Sequence, residues 1–377
     1  MKISYVSGIC VRNDAISASI RNEMRMLEAA GHDVRFFGYA CDFEETPFSK
    51  VDNVWEITVD PHFRESDLVV FHFGIFYPLF DALMLVPSRA KRVVVFHNIT
   101  PAAMVAEESR ALIEKSLRQM HNISFSDKVF CVSQVNQDVL DGHGIETPAQ
   151  VLPLAVDPVG APVSKPSVTD DVQRILFIGR FVKSKGLPDA LAAIEAALQE
   201  NAGLCLRFDL VGNTLFSDTR VIDQIEATAD RWRRQYADRA RLQVHGNADE
   251  VRKRALLSDA DLFLLPSYHE GFCVPVVEAI SAGCRVLTYD NSNLAYIGRG
   301  QSRTVATGDV AALGRALSEM LADSASTSWK QAGYQAYARD TAEYSDEFRE
   351  ESVSCRFISA IEGVMAMPAT RSHTRTA

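Results

Sequence analysis

The sequence has no apolar run approaching the roughly 20 residues of a membrane-spanning helix. Its opening stretch, M-K-I-S-Y-V-S-G, is too short an apolar run for a signal peptide and reads as a first core strand. Seven cysteines, at 10, 41, 131, 205, 273, 284 and 355, are scattered and odd in number, with no C-x-x-C among them. They read as reduced, buried thiols in a cytoplasmic protein. Positive charge is also short. The formal net charge is −10, which argues against general nucleic-acid binding. Over residues 1–157, 14 Lys+Arg face 21 Asp+Glu, a net of −7 and a poor electrostatic anchor for anionic lipid. No G-x-G-x-x-G follows the strand-like Ile3–Val6, so a dinucleotide oxidoreductase has little support. No His/Cys/Asp cluster has zinc spacing.

What is present is ordinary in amount and informative in order. Hydrophobic residues at 47% and charged residues at 23% suit a soluble globular protein, and 377 residues imply about two domains. Strand-like runs at Ile3–Val6, Val34–Gly38, Leu68–Phe73, Val93–His97 and Lys128–Val132 alternate with helical patterns at Ala15–Ala30, around 103–121 and at Ser133–Gly142. On the first helix Ile16, Ile20, Met24 and Leu27 fall at helical spacing. Residues 158–170, P-V-G-A-P-V-S-K-P-S-V-T-D, hold three prolines and few large apolar groups, and read as a linker. The alternation then restarts. Strands are expected at Arg174–Gly179, Leu204–Val211, Leu242–His245, Leu262–Leu265 and Arg285–Tyr289, with helices at Leu187–Gln199 and Val310–Leu321. The basic cluster at 231–241 continues a helical pattern and reads as a solvated helix face, a membrane or phosphate patch being the minor alternative. This order implies an α/β fold of two tandem Rossmann-like doubly wound parallel-sheet domains facing a central cleft.

Two charged stretches stand where such sheets bind ligands. In S-Y-H-E-G-F-C-V-P-V-V-E-A, residues 267–279, Glu270 falls in a strand-to-helix loop and Glu278 near the start of the next helix, with Pro275 suited to a first helical position. In F-I-G-R-F-V-K-S-K-G, residues 177–186, Arg180 and Lys185 project from another carboxyl edge, a pair suited to a phosphate group. His97 ends one front-domain strand and His72 another; each can equally be a structural hydrogen bonder. A D-x-D at Asp259–Asp261 precedes the strand Leu262–Leu265, at the edge opposite these loops, and reads as a helix end or turn rather than a metal site.

G-R-x-x-x-x-K-G followed by S-x-x-E-G-F-x-x-P-x-x-E-A resembles the family 4 glycosyltransferases, retaining enzymes of the GT-B fold. The resemblance extends to V-L-P-L-A-V-D at 151–157, A-D-L-F-L-L-P-S before the glutamates and A-G-C-R-V after them. It implies transfer of a hexose from a nucleoside diphosphate sugar to a glycan acceptor, with a lipid-linked one destined for a surface polysaccharide as an option. Glu278 would bind the ribose hydroxyls. Glu270 would face the donor sugar, with backbone N–H groups of Gly271, Phe272 and Cys273. Arg180 and Lys185 would neutralise the leaving diphosphate without a metal or other cofactor. His97 would contact the donor sugar, although Asn98 stands where many members have Asp. His72 is an acceptor-side candidate. Gly8 stands alone where many members have a glycine pair, with Arg12 or Asn13 as substitutes. The GT-B crossover sets domains at 1–157 plus about 345–366 and at 171–344, with 158–170 between them and a disordered tail at 367–377. A cytoplasmic enzyme is expected, with weak contact to the inner membrane face as an option. A phosphorylase or epimerase of the same fold, an inactive nucleotide- or glycan-binding subunit, and a paired-carboxylate glycosidase are the competing readings.

Overall fold

The computed structural model describes residues 1–12, 14–105, 107–214, 217–236 and 238–368. The stretch expected to be a disordered tail lies outside the described residues from 369 onward. The chain divides into two compact units, Met1–Ala155 with the segment from Glu350, and Val156–Arg349.

The strands of the first unit are β1 (Lys2–Val6), β2 (Ile9–Cys10), β3 (Asp33–Gly38), β4 (Ala40–Cys41), β5 (Phe48–Lys50), β6 (Leu68–Phe73), β7 (Lys91–Phe96), β8 (Lys128–Cys131) and β9 (Ala149–Val151). Its main sheet runs β5-β3-β1-β6-β7-β8-β9 with parallel pairing throughout, and β2 pairs β4 beside it. Central β6 is buried along its whole length, so its run L-V-V-F-H-F is apolar on both faces but for one histidine. The helix Ala15–Ala29 starts where Asp14 accepts the Ser17 N–H at 2.8 Å. Ser133 caps Gln134–Gly142 in the same way. The last helix, Glu350–Ala366, belongs to this unit and sets Phe357 edge-on to Phe130 of β8, with Val353, Ile361 and Val364 also buried.

The second unit holds β10 (Gln173–Ile178), β11 (Leu206–Val211), β12 (Ala240–Gly246), β13 (Leu262–Leu265), β14 (Arg285–Tyr289) and β15 (Ser302–Val305), in the order β12-β11-β10-β13-β14-β15, again parallel. Helices Leu187–Glu200 and Val310–Ala325 supply apolar faces to its core. The basic cluster sits on the helix Thr219–Gln235. Trp232 is fully buried there, while Arg231 pairs with Glu195 and Arg233 with Asp230.

The stretch 158–170 is packed into this unit. Lys165 is 4% exposed and its ammonium donates to the carbonyls of Ser258 at 3.0 Å and Ala282 at 2.8 Å, at the C-terminal ends of two helices. Ser167 opens a short helix and donates to Asp261 at 2.5 Å. Polar contacts hold a segment whose composition offers few apolar ones.

Candidate functional site

In each unit the strand order reverses once, where β1 lies beside β6 and where β10 lies beside β13. Loops leaving the carboxyl ends of such a pair diverge, and doubly wound sheets bind ligands in the crevice so formed.

In the second unit the loops after β10 and β13 are stitched together. The Tyr268 N–H donates to the Ser184 carbonyl at 2.8 Å, and the Ser267 hydroxyl to the same oxygen at 3.2 Å. Gly186 makes this approach possible. It sits at φ 68°, and a Cβ there would lie 1.8 Å from the Pro266 carbonyl oxygen. The stitched loops bring Lys185 Nζ to 2.6 Å from Glu270 Oε1, and Glu270 is only 8% exposed. A third loop, after β14, fixes the backbone: the Glu270 N–H donates to Ser292 Oγ at 2.9 Å, and Asn293 Nδ2 to the Phe272 carbonyl at 2.7 Å. Arg180 is exposed, and its guanidinium takes no partner among the described residues.

The helix Val274–Ser281 begins at Cys273, which adopts φ 78°, a left-handed conformation unusual for a residue with a side chain. No side chain caps this helix. Among the described residues the N–H groups of Gly271, Phe272 and Cys273 take no acceptor, so they remain available to an anion. Burial pushes the Cys273 thiol well above its ordinary value, and the Glu270 carboxylate adds to the shift. Glu278, 7% exposed, lies one turn into the helix with Oε1 2.7 Å from Lys253 Nζ, which also reaches Glu250 at 2.9 Å. Burial raises the Glu278 carboxyl above the usual range, while Lys253 pulls it back.

The D-x-D is occupied structurally. Asp261 is buried and accepts from the Arg174 N–H at 2.7 Å and from Ser167, and Asp259 ends the helix Glu250–Asp259. Among the described residues no group of three or more His, Cys, Asp or Glu side chains could hold a metal ion.

In the first unit His97, just beyond β7, is 8% exposed, and its Nε2 lies 2.8 Å from His72 Nδ1. His72 Nε2 is in turn 3.1 Å from Glu23 Oε2. His72 is 1% exposed with both ring nitrogens engaged, so it stands behind His97 and has no nitrogen to offer an acceptor. Burial, then His72, holds the His97 imidazolium well below its ordinary pKa. Gly74 lets the loop after β6 pass close by; a Cβ there would lie 3.1 Å from Ile16 Cδ1 and 3.2 Å from the Asn98 carbonyl. Gly8 makes no such demand. It has no positive φ, and an added Cβ would meet only Tyr77, at 3.7 Å. Asn13, offered as a substitute for it, lies outside the described residues.

Residues 164–339 match the family described as Glycosyl transferases group 1. This segment is similar to that family. The glycosyltransferase resemblance read from the motifs thus rests on the unit that carries both glutamates. A GDP-mannose:cellobiosyl-diphosphopolyprenol alpha-mannosyltransferase of Xanthomonas oryzae pv. oryzae is 27% identical over 230 residues, 58% of this chain and 55% of the relative. A glycogen synthase of Mycobacterium tuberculosis is 28% identical over 221 residues, 55% of this chain and 50% of the relative. The chain thus spans about half the length of the curated relatives it matches. Sucrose-phosphate synthase from Thermosynechococcus elongatus superposes with a TM-score of 0.71 at 17% identity, over 97% of this chain and 99% of that one. Anabaena HepE, solved with UDP-glucose, gives 0.70 at 16% identity, over 96% and 100%. At such identities the likeness shows the fold, which is that of the GT-B glycosyltransferases.

Two residues of these sites escaped sequence reading. Lys253 carried no signal, because nothing in its spacing points at Glu278. Glu23 carried a usable signal. It lies three positions after Ile20 and four before Leu27, so it places a carboxylate on the apolar stripe of the first helix.

Proposed function

We propose that the protein transfers a hexose, with retention of configuration, from a nucleoside diphosphate sugar to a glycan acceptor. The observation that carries this reading is the Lys185–Glu270 pair at the reversal point between β10 and β13, inside the group 1 segment. A diphosphate meets Lys185, the exposed Arg180 and the uncapped helix start at Cys273, which together stabilise the charge that grows as the glycosidic bond breaks. Glu270 faces the donor sugar. Glu278, paired with Lys253, takes the ribose hydroxyls. His97 contacts a sugar of the substrate. Relatives bearing the names of a GDP-mannose-dependent mannosyltransferase acting on a diphosphopolyprenol-linked glycan and of a glycogen synthase support a nucleotide-sugar donor and a glycan acceptor. The first favours a lipid-linked acceptor met at a membrane face. No described helix is long and apolar enough to cross a membrane.

The test is a binding and turnover panel of UDP-, GDP-, ADP- and dTDP-sugars. Saturable binding of one donor, with turnover to an α-linked product, is expected; binding of none favours an inert subunit. Asp261 is taken up by Ser167 and Arg174, and cations already face the diphosphate, so turnover should survive EDTA. Loss on chelation with recovery on Mg²⁺ or Mn²⁺ would overturn that part.

A further inference from the structure

The first unit holds a buried chain of polar side chains with a direction. Glu23 is 9% exposed and lies in the core of its unit. Its carboxylate accepts from Ser19 Oγ at 2.7 Å and from Tyr5 OH at 3.3 Å, and lies 3.1 Å from His72 Nε2. Burial, then Glu23, raises the Tyr5 hydroxyl well above its ordinary pKa, which keeps it a donor. A carboxylate with hydroxyl donors on both oxygens has only lone pairs left to offer, so the proton between it and His72 sits on His72 Nε2. A neutral His72 protonated at Nε2 has a lone pair at Nδ1. The 2.8 Å contact with His97 Nε2 then requires the proton on His97. A neutral His97 protonated at Nε2 leaves Nδ1 as a lone pair, and Nδ1 takes no partner among the described residues.

We propose that Glu23, acting through His72, fixes the tautomer of His97 so that His97 Nδ1 presents a hydrogen-bond acceptor to a hydroxyl group of the sugar substrate. Glu23 and His72 are positioning residues, and His97 alone touches the ligand; this last step rests on the transfer reading above. The recognised chemistry is a sugar hydroxyl that donates, so an anionic or acceptor-only group at that position is disfavoured. The two rings meet edge to edge, with centroids 5.1 Å apart and planes 27° apart, the near-coplanar approach that a nitrogen-to-nitrogen hydrogen bond requires.

The test reads tautomers directly. The full chain is labelled with ¹⁵N-histidine, and long-range proton–nitrogen correlation spectra are assigned with His72→Gln and His97→Gln. Wild-type protein without substrate should show both histidines neutral and protonated at Nε2. Glu23→Met removes the acceptor, and the single tautomer at His97 should give way to a mixture. Glu23→Gln, whose amide oxygen still accepts while its NH₂ turns to Ser19, should keep the wild-type tautomer. With an accepted nucleotide sugar, Glu23→Met should lower kcat/KM by about 10- to 100-fold, the effect of leaving one buried polar group without its partner. A wild-type His97 protonated at Nδ1, an imidazolium at His72, or a Glu23→Met spectrum unchanged from wild type each overturns the proposal. The wild-type spectrum decides even if Glu23→Met does not fold. It needs no substrate, so failure of the donor panel with spectra as expected sinks the transfer reading and not the tautomer chain.

Discussion

The two reversal points carry charge in different ways. In the second unit each carboxylate is closed by an ammonium, Glu270 by Lys185 and Glu278 by Lys253, at 2.6 and 2.7 Å. In the first, the carboxylate stands two imidazoles back from the surface, and the chain ends in a nitrogen with no partner. On the proposed reading a closed pair receives its ligand by exchange, because a phosphate must draw Lys185 from Glu270 or the sugar must bridge both. An open chain receives a hydroxyl with nothing to break. The difference separates strong, salt-sensitive holding of a charged group from directional recognition of a neutral one.

Substitutions at the closed pairs sharpen that contrast. The largest effect is expected at Lys185. Lys185→Ala removes the cation proposed to face the diphosphate and strands a nearly buried Glu270, so the activation free energy for kcat should rise by about 2 to 4 kcal/mol. Arg180→Ala acts in the same direction through an exposed guanidinium, and steady-state kinetics should show each lowering kcat more than it raises the donor KM. A wild-type kcat in Lys185→Ala would remove the role. The glutamates come next. Glu278→Ala should weaken nucleotide sugar and free nucleoside diphosphate alike, by roughly 1.5 to 3 kcal/mol, whereas Glu270→Ala should leave the bare nucleotide nearly unchanged. Calorimetry with both ligands decides it, and equal losses of bare nucleotide in the two variants would break the assignment.

A smaller effect concerns pH. Burial places the folded pKa of Glu278 above its unfolded value, so this carboxyl favours the protonated folded state. Its ionisation reduces stability as pH rises from the unfolded pKa towards the folded one. Lys253 and Arg254 lower that pKa and Glu250 raises it, so Lys253→Met should move it up. Nucleotide affinity followed against pH should then fail at a higher pH on the acid side than in wild type; an unmoved acid limb would show that Lys253 does not set the charge of Glu278. Smallest of all is Cys273→Gly. Relief of the left-handed strain at φ 78° offsets the greater freedom of the unfolded chain, and melting should report a gain of no more than about 1 kcal/mol. A clear loss of stability would show that the thiol's contact with Glu270 outweighs the strain.

Much of this was legible beforehand where one residue's neighbours in sequence are also its neighbours in space. Strands Leu262–Leu265, Arg285–Tyr289 and Leu68–Phe73 fall where their apolar runs place them, since central parallel strands are buried on both faces. The edge strands β5, β9 and β15 were not foreseen, because Phe48–Lys50, Ala149–Val151 and Ser302–Val305 are short and partly polar. The loops bearing Arg180, Lys185, Glu270 and Glu278 announced themselves through charge beside glycine and proline. Their partners did not. Lys253 reaches Glu278 from a helix 25 positions earlier, and Glu23 reaches His72 from 49 positions away. Only the fold creates those pairs.

The ammonium of Lys165 has a kinetic consequence. It is anchored to carbonyls at the ends of Glu250–Asp259 and Val274–Ser281, far along the chain, so residues 158–170 can settle only once both helices are docked. An amine-acylating reagent cannot reach it while they hold. The rate at which Lys165 becomes acylated, set against the fast reaction of exposed lysines such as Lys183, therefore counts how often the second unit opens.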